Sequence, residues 1–495
     1  MNNKVQLIAY ADRLSGGGLP ELQGLLDGPL RGVFGGLHIL PFFLPIDGAD
    51  AGFDPIDHTR IDPRLGDWSQ MRALGGQFDI MADLIVNHMS SLSPQFQDFW
   101  RQGDDSPYAG MFLTLGGVFP GGATEAELLK IYRPRLGLPF TVLQLRDGRK
   151  RVFWTTFTPE QIDIDVKSPQ GAAYLQSILD IFSRSGVRAI RLDAVGYAIK
   201  KPGSSCFMIP ETFDFIGQLT ASARARGLEV LVEIHSHFES QIEIAKHVDR
   251  VYDFALPPLV LHALFKSDGR PLCAWLERSP RNAVTVLDTH DGIGVRDVGA
   301  DGARPGLLAP SAIDEMVETI HRNSGGQSRK ATGASASNLD LYQVNCTYYD
   351  ALGRDDRSYL VARAIQFFAP GIPQVYYVGL LAGTNDMDLL SRSGTGRDIN
   401  RHYYSAGEVT DALGRPVVQN LLDLIRFRNS HPAFGGAFRV LQTQDHKVGL
   451  EWRDGDHWAR LDVDLRDRAA VITCSSDGGE VVIDPMPRCG SIPSA

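Results

Sequence analysis

Short apolar runs rich in β-branched and large residues recur along the chain: VQLIAY (5–10), GLHILPF (36–42), DIMADLIVNH (79–88) and VRAIRLDAV (187–195). Four more follow: LEVLVEIH (228–235), RVYDFALP (250–257), AVTVLDTH (283–290) and GIPQVYY (371–377). They are nearly continuous in apolar residues, as expected of strands buried on both faces in a parallel sheet. Between them lie helical periodicities. In SPQGAAYLQSILDIFSRSG (168–186), Ser168 can cap, Pro169 suits the first helical position, and Leu175, Ile178, Leu179 and Phe182 share one face. A second helix, PETFDFIGQLTASARARG (210–227), also stops at a glycine just before a strand. Eight such alternations predict an α/β fold, a closed (β/α)8 TIM barrel; the alternative is an open doubly wound sheet.

Two intervals exceed a simple crossover. Long connections in compact domains are usually functional, and in a barrel they lie on the active-site face. The pattern divides the chain into barrel segments 1–86, 168–291 and 355–433, insertions 87–167 and 292–354, and a terminal unit 434–495. That last unit switches to short strands with Asp-Gly turns and is expected to be a small β-domain.

Composition narrows the class further. Hydrophobic residues make up 43% and charged residues 22% of the 495-residue chain, ordinary values for a globular protein with a large core. A net charge of -10 gives no basic footprint for nucleic acid or an anionic membrane. Five scattered cysteines lack metal-ligand spacing and read as buried thiols. The first residues show no charged leader, apolar core or cleavage site, and no long apolar run occurs, so a cytoplasmic location is expected.

Three carboxylates fall at one structural address. Asp193, Glu233 and Asp291 are each placed at the carboxyl end of a predicted strand, so all three should face the barrel mouth. Cleaving a glycosidic bond needs one ionised carboxylate at the anomeric carbon and one protonated carboxyl for the leaving oxygen. Arg191, on the same strand face as Asp193, should favour an ionised nucleophile there, while Glu233 in apolar surroundings has no adjacent cation and could keep a proton. Asp291 would stabilise developing positive charge. His88 and His290 suit hydrogen bonds to sugar hydroxyls, and His235 and His237 lack further ligands at metal spacing.

These residues sit in recognisable motifs. DLIVNH (83–88), IRLDAV (190–195), LVEIHS (231–236) and VLDTHD (286–291) resemble the four signature regions of the α-amylase superfamily of glycoside hydrolases. DGADAGFDPIDHT (47–59), IYRPRLGLPFT (131–141), ASNLDLYQVN (336–345) and GRDINRHYY (396–404) resemble its branch that phosphorolyses sucrose.

The resemblance implies a nucleophile at Asp193, a general acid and base at Glu233, and a transition-state stabiliser at Asp291. It implies sugar contacts from Asp50, Phe53, His88, Arg191, Tyr197, His290, Arg397 and Gln343. Contacts to phosphate or fructose are implied for Tyr132, Arg135, Leu341 and Tyr342. The implied reaction retains configuration and converts sucrose and inorganic phosphate into α-glucose 1-phosphate and fructose, with transglucosylation as a side reaction. Rival donors are sucrose 6'-phosphate and glucosylglycerol; enzymes for the former tend to carry histidine at Tyr342. A hydrolase or a silent barrel protein remain alternatives. Asn87 matches an asparagine that binds calcium in many amylases, yet the branch resembled has no calcium requirement, so no metal and no cofactor are expected. A homodimer is implied.

Overall fold

Eight parallel strands close into a barrel in the order β1-β8-β7-β6-β5-β4-β3-β2. They are β1 (Gln6–Ala9), β2 (Gly36–Ile39), β3 (Asp79–Ile85), β4 (Val187–Asp193), β5 (Glu229–Val232), β6 (Arg250–Asp253), β7 (Ala283–Thr285) and β8 (Ile372–Tyr376). The structure, a computed structural model, describes residues 1–485 apart from residues 49, 135–136, 334–342 and 477–478. Each apolar run of the sequence supplies one barrel strand. Helix α1 (Pro169–Arg184) begins at Ser168, whose hydroxyl accepts from Gly171 N at 3.0 Å, and it buries Leu175, Ile178, Leu179 and Phe182. Burying each such side chain contributes about 2 kcal/mol, so the apolar stripe outweighs the cap, worth about 1 kcal/mol. Helix α2 (Pro210–Arg224) packs behind β5, and Gly227, at φ 75°, turns the chain into that strand.

One strand is shorter than its sequence suggests. The run 283–290 leaves the ladder after Thr285, so Asp291 does not end β7 but lies six residues beyond it. Thr285 is paired with Pro373 of β8, and proline brings no N–H to extend the ladder. Side chains hold the following segment instead: Asn400 Nδ2 donates to Thr289 O at 2.7 Å and Arg401 Nε to His290 O at 2.9 Å.

Both long intervals carry structure of their own. Residues 89–167 form a hairpin (Phe140–Gln144 with Lys150–Trp154) over a small core of Val118, Phe119, Ile131, Trp154 and Cys206. An antiparallel pairing of His88–Ser90 with Gln161–Asp163 ties this insertion to the end of β3. In the second interval, Ile293–Gly294 pairs with Gln343–Val344, which places Gln343 against the barrel mouth. The C-terminal unit is a five-stranded antiparallel sheet, anchored to the barrel where Trp452 Nε1 donates to Phe368 O at 2.8 Å. Its first strand, Ala437–Leu441, is a half-exposed edge. Cys206, Cys346 and Cys474 are buried, Cys273 is half-buried, and these four are free thiols; Cys489 lies outside the described residues. Among the described residues no helix is long and apolar enough to cross a membrane.

Candidate active site

The barrel interior below the mouth is a charged and polar layer, where the sequence alone suggests apolar packing. Asp83 on β3, with no solvent exposure, accepts from Arg191 on β4 and lies 2.9 Å from His38 Nε2 on β2. Burial acts to raise the Asp83 carboxyl, but His38 and Arg191 outweigh it and bring the pKa to about 2. On the other side of the barrel, Gln374 Nε2 donates to Gln6 Oε1 at 2.9 Å, and Tyr252 Oη donates to Gln374 at 3.3 Å. Each of these side chains has at least one partner, while Gln6 Nε2 and His38 Nδ1 have none.

Arg191 connects that layer to the mouth. Its Nη1 donates to Asp193 Oδ1 at 2.8 Å, while Nη2 lies 3.4 Å from Glu233 Oε1. One guanidinium therefore touches both carboxyls, and Glu233 does have an adjacent cation, contrary to the expectation from its apolar sequence neighbours. The reason is topological: β4 and β5 are adjacent, and Glu233 N donates to Leu192 O at 3.4 Å. Burial and the charges of Glu233, Asp83 and Asp291 push the Asp193 carboxyl up, and Arg191 pulls against them. Asp193 and Glu233 thus form a pair of carboxyls around one arginine.

Asp291 has the opposite setting. Arg397 Nη1 is 2.9 Å from its Oδ1, Arg401 Nη2 stands 3.9 Å away, and His290 Nε2 is 3.3 Å from Oδ2. Burial acts against ionisation, but Arg397, His290, Arg191 and Arg401 together hold the Asp291 carboxyl well below its usual range. His290 is driven to its neutral form, first by burial and then by Arg191 and Arg401. Its ring stacks on Phe53 with centroids 4.7 Å apart, and His88 Nε2 lies 3.0 Å from Phe53 O. Asp50 reaches Arg397 at 3.9 Å, so the loop after β2 and the loop after β8 meet across the same cleft.

The remaining expected contacts form the opposite wall. Tyr197 lies among Phe157, Phe207 and Tyr132, with ring centroids at 5.1, 4.7 and 6.1 Å. Gln343 Nε2 is 3.3 Å from His235 Nε2. His235 stacks on Phe254 at 3.9 Å, and its Nδ1 is 3.4 Å from the buried Asp297. Burial opposes its charged form, yet Asp297, Glu233 and Asp291 raise its pKa. Arg135, Leu341 and Tyr342 lie outside the described residues.

A buried cation ties the first insertion to this wall. Lys200 Nζ lies 2.8 Å from Asp163, donates to Asn87 Oδ1 at 3.0 Å and Thr156 Oγ1 at 3.1 Å, and also donates to the carbonyl of Tyr197. The protein's own ammonium fills this oxygen cage, and the Asn87 oxygen is one of its walls. Glu233, His235 and Asp291 also bring ligand atoms within 4.8 Å of one another. Arg191, Asp297 and Arg397 already engage those three groups, so their charges are balanced within the protein.

Sequence reasoning missed Asp83, Lys200, Arg401, Asp297 and Arg296. Asp83 and Arg401 stand inside motifs already singled out, DLIVNH and GRDINRHYY, but solvated charge and buried charge look alike in sequence. Lys200 offered no signal, because Asn87, Thr156 and Asp163, which supply three of its oxygen partners, lie far from it in the chain.

The barrel, its insertions and its cluster of mouth carboxylates define an α-amylase-type enzyme, and residues 33–250 match the family model "Alpha amylase, catalytic domain". The chain is 65% identical to a sucrose phosphorylase of Agrobacterium vitis over 96% of its own length and 98% of that protein. A sucrose phosphorylase of Bifidobacterium adolescentis is 55% identical over 93% of this chain and 92% of that one. The crystal structure of sucrose 6F-phosphate phosphorylase from Thermoanaerobacter thermosaccharolyticum superimposes with a TM-score of 0.91, at 40% identity and 98% coverage of both chains. The chain belongs to the sucrose phosphorylase family of the α-amylase superfamily.

Proposed function

We infer that the protein is a sucrose phosphorylase that transfers glucose from sucrose to inorganic phosphate with retained configuration. The observation that carries this reading is Arg191 held between Asp193 and Glu233 at the mouth of the barrel. In the first step the Asp193 carboxylate attacks the anomeric carbon, the bond from that carbon to the fructosyl oxygen breaks, and Glu233 gives its proton to that oxygen. This step needs the anion on Asp193; Arg191, which donates to Asp193 at 2.8 Å and lies 3.4 Å from Glu233, favours that anion against the burial and like charges that raise the Asp193 carboxyl. In the second step a phosphate oxygen attacks the same carbon from the face fructose left. Glu233 takes the phosphate proton, and the bond to Asp193 breaks to give α-glucose 1-phosphate.

The other residues bind and orient. Ionised Asp291, held by Arg397, suits hydroxyl binding and the positive charge that develops on the ring. Neutral His290 and His88 can each exchange hydrogen bonds with hydroxyls, and Phe53, with Tyr197 opposite, offers apolar surface to the ring. Asp50 and Gln343 complete the sugar contacts. Tyr132, with Arg135, Leu341 and Tyr342, is assigned to phosphate and fructose. No cofactor is called for. The enzyme acts in the cytoplasm as a homodimer; Leu129, Leu138 and Val142, each more than half exposed on the first insertion, support a partner surface there.

Plain sucrose is assigned as the donor, in keeping with the sucrose phosphorylases among its relatives. Comparing kcat/KM for sucrose, sucrose 6'-phosphate and glucosylglycerol tests the donor assignment. Sucrose is expected to lead by at least tenfold, and a lead for either rival would reassign it.

A further inference from the structure

Two side chains converge on one oxygen of Glu233. Arg191 Nη2 lies 3.4 Å from Oε1, and His235 Nε2 lies 3.6 Å from the same atom. Whether His235 donates to that oxygen or repels it depends on the protons of the ring, and its other edge decides this. There Nδ1 lies 3.4 Å from Oδ2 of Asp297, a carboxylate with no solvent exposure that also accepts from Gln241 Nε2 at 2.7 Å and Ser236 N at 3.2 Å. A carboxylate facing Nδ1 calls for a proton on that nitrogen, so Nε2 carries one as well only when the ring is an imidazolium. Three carboxylates face the ring, Glu233 from the end of β5 and Asp291 and Asp297 from the loop after β7, and together they outweigh the burial that opposes its charge. Gln343 Nε2, 3.3 Å from His235 Nε2, suits a bare nitrogen, and a half-turn of the amide offers its carbonyl to a protonated one.

The pair is fixed from several sides. Asp297 belongs to a short helical turn, Arg296–Val298, tied to the first insertion where Arg296 donates to the Tyr132 hydroxyl. Gln241 comes from the helix Phe238–Ala245 after β5, and the His235 ring stacks on Phe254, just beyond β6, at 3.9 Å. Gly294 lies against both partners: a Cβ there would stand 3.2 Å from Asp297 Oδ2 and 3.4 Å from His235 Nδ1. The loops after β5, β6 and β7 therefore hold one imidazole edge toward Asp297 and the other toward Glu233.

We propose that Asp297 and His235 are positioning residues that act through Glu233: with the imidazolium and Arg191 both donating to Oε1, the acidic proton is confined to Oε2, which hands it to the leaving oxygen of the donor. The inference rests on the phosphorylase reading given above, with Glu233 as acid and base. In the first step the bond from the anomeric carbon to the fructosyl oxygen breaks, that oxygen takes the Oε2 proton, and Glu233 is left an anion. Asp193 is then a neutral ester, so Arg191 and His235 both face the new anion. In the second step the phosphate proton returns to Glu233 as the ester breaks. His235 keeps its own proton throughout, and its charge-assisted contact strengthens as Glu233 ionises.

An activated donor separates this role from a merely structural one, because fluoride leaves α-glucosyl fluoride with little help from an acid. Fructose release from sucrose and fluoride release from α-glucosyl fluoride, each with inorganic phosphate present, give kcat/KM for the two donors in the wild type, His235→Gln and Asp297→Asn. At about pH 7.5 the sucrose-to-fluoride ratio is expected to fall about tenfold or more in both variants. At about pH 5.5 an imidazole without Asp297 takes up its proton unaided, so the ratio in Asp297→Asn should recover about threefold or more while that in His235→Gln stays low. An unchanged ratio in the folded variants, an equal loss on both donors, or a ratio in Asp297→Asn that ignores pH would overturn the proposal and leave the pair a structural brace. Should Asp297→Asn fail to fold, the ratio in His235→Gln decides alone. A wild type that turns sucrose into free glucose and no glucose 1-phosphate would refute the phosphorylase reading and leave this ratio readable, since both donors load Asp193 whichever acceptor follows.

Discussion

Arg191 rests on Asp83: one guanidinium nitrogen, Nη1, donates both to this fully buried carboxylate and to Asp193. Removing two charges from water is costly, and a buried pair is weak evidence for stability. Its value here is direction. Asp83, backed by His38, fixes the guanidinium so that its remaining donors face Asp193 and Glu233.

Arg191→Met leaves Asp83 buried without its cation, an arrangement that costs about 3–5 kcal/mol. Asp83→Asn keeps the shape and removes only the charge. Urea unfolding should show the larger loss for Arg191→Met. Sucrose turnover should fall at least tenfold in Asp83→Asn although residue 83 does not touch the sugar. Full activity in that variant would mean the Asp83 charge does not position Arg191.

Separate roles for the two carboxyls give opposite stereochemistry with azide and α-glucosyl fluoride. In Asp193→Gly, azide takes the place of the nucleophile and the product is the inverted β-glucosyl azide. Glu233→Gln still forms the enzyme ester, so azide attacks it and the product is the α-azide. Without azide, both variants should lose at least about a thousandfold in kcat on sucrose. Proton NMR of the azides checks the assignment, and the same anomer from both variants would refute it.

Lys200 holds Asn87, Asp163, Thr156 and the Tyr197 carbonyl together, so it positions the chain on both sides of His88 and Tyr197. Lys200→Met leaves Asp163 buried without its cation, with only the hydrogen bonds from Thr156 N and Oγ1, and should destabilise the protein by about 3 kcal/mol. The KM for sucrose should rise at least fivefold. Thermal melts and steady-state kinetics test this, and a melt and a KM within error of wild type would show the cage to be dispensable.

Acid sensitivity follows from three buried histidines. Burial is the largest cause lowering the pKa of His58, His88 and His290, and His58 titrates at about 4. The unfolded chain takes up these protons below about pH 6.5 while the native fold refuses them, so stability is complete above that pH and lost as pH falls. His58 alone accounts for about 3 kcal/mol between pH 6.5 and 4. Asp83, at about 2, adds a second loss as pH falls below about 4. Asp253, raised by burial to about 7, and Asp193 and His235, also raised, act the other way over the same window, so the histidine contribution is read as a difference: from about pH 7.5 to 4.5 the urea midpoint of the wild type should fall relative to that of His58→Gln, and parallel profiles would contradict the neutral burial of His58.

Strand positions were the most legible part of the chain, because strands buried on both faces give continuous apolar runs. Helix α1 was legible for a similar reason, with its cap and stripe both written locally. Asp193 and Glu233 could be placed from strand ends alone, and Asp291 only approximately, since Pro373 on a distant strand decides where β7 stops. What could not be read were relations across the chain. Glu233 has a cation neighbour because β4 and β5 are adjacent in space, and Lys200 is neutralised by an aspartate in the preceding insertion. The contact of Asp50 with Arg397 joins loops at opposite ends of the barrel sequence, and only closure of the barrel brings them together.

Transfer of the glucosyl group from Asp193 to phosphate, not to water, separates a phosphorylase from a hydrolase. The direct measurement is a time course of sucrose consumption with and without inorganic phosphate, quantifying glucose 1-phosphate, its anomer, free glucose and fructose. With phosphate present, α-glucose 1-phosphate and fructose are expected to form in equal amounts, with free glucose a minor product. Free glucose as the main product at saturating phosphate, or β-glucose 1-phosphate, would contradict it.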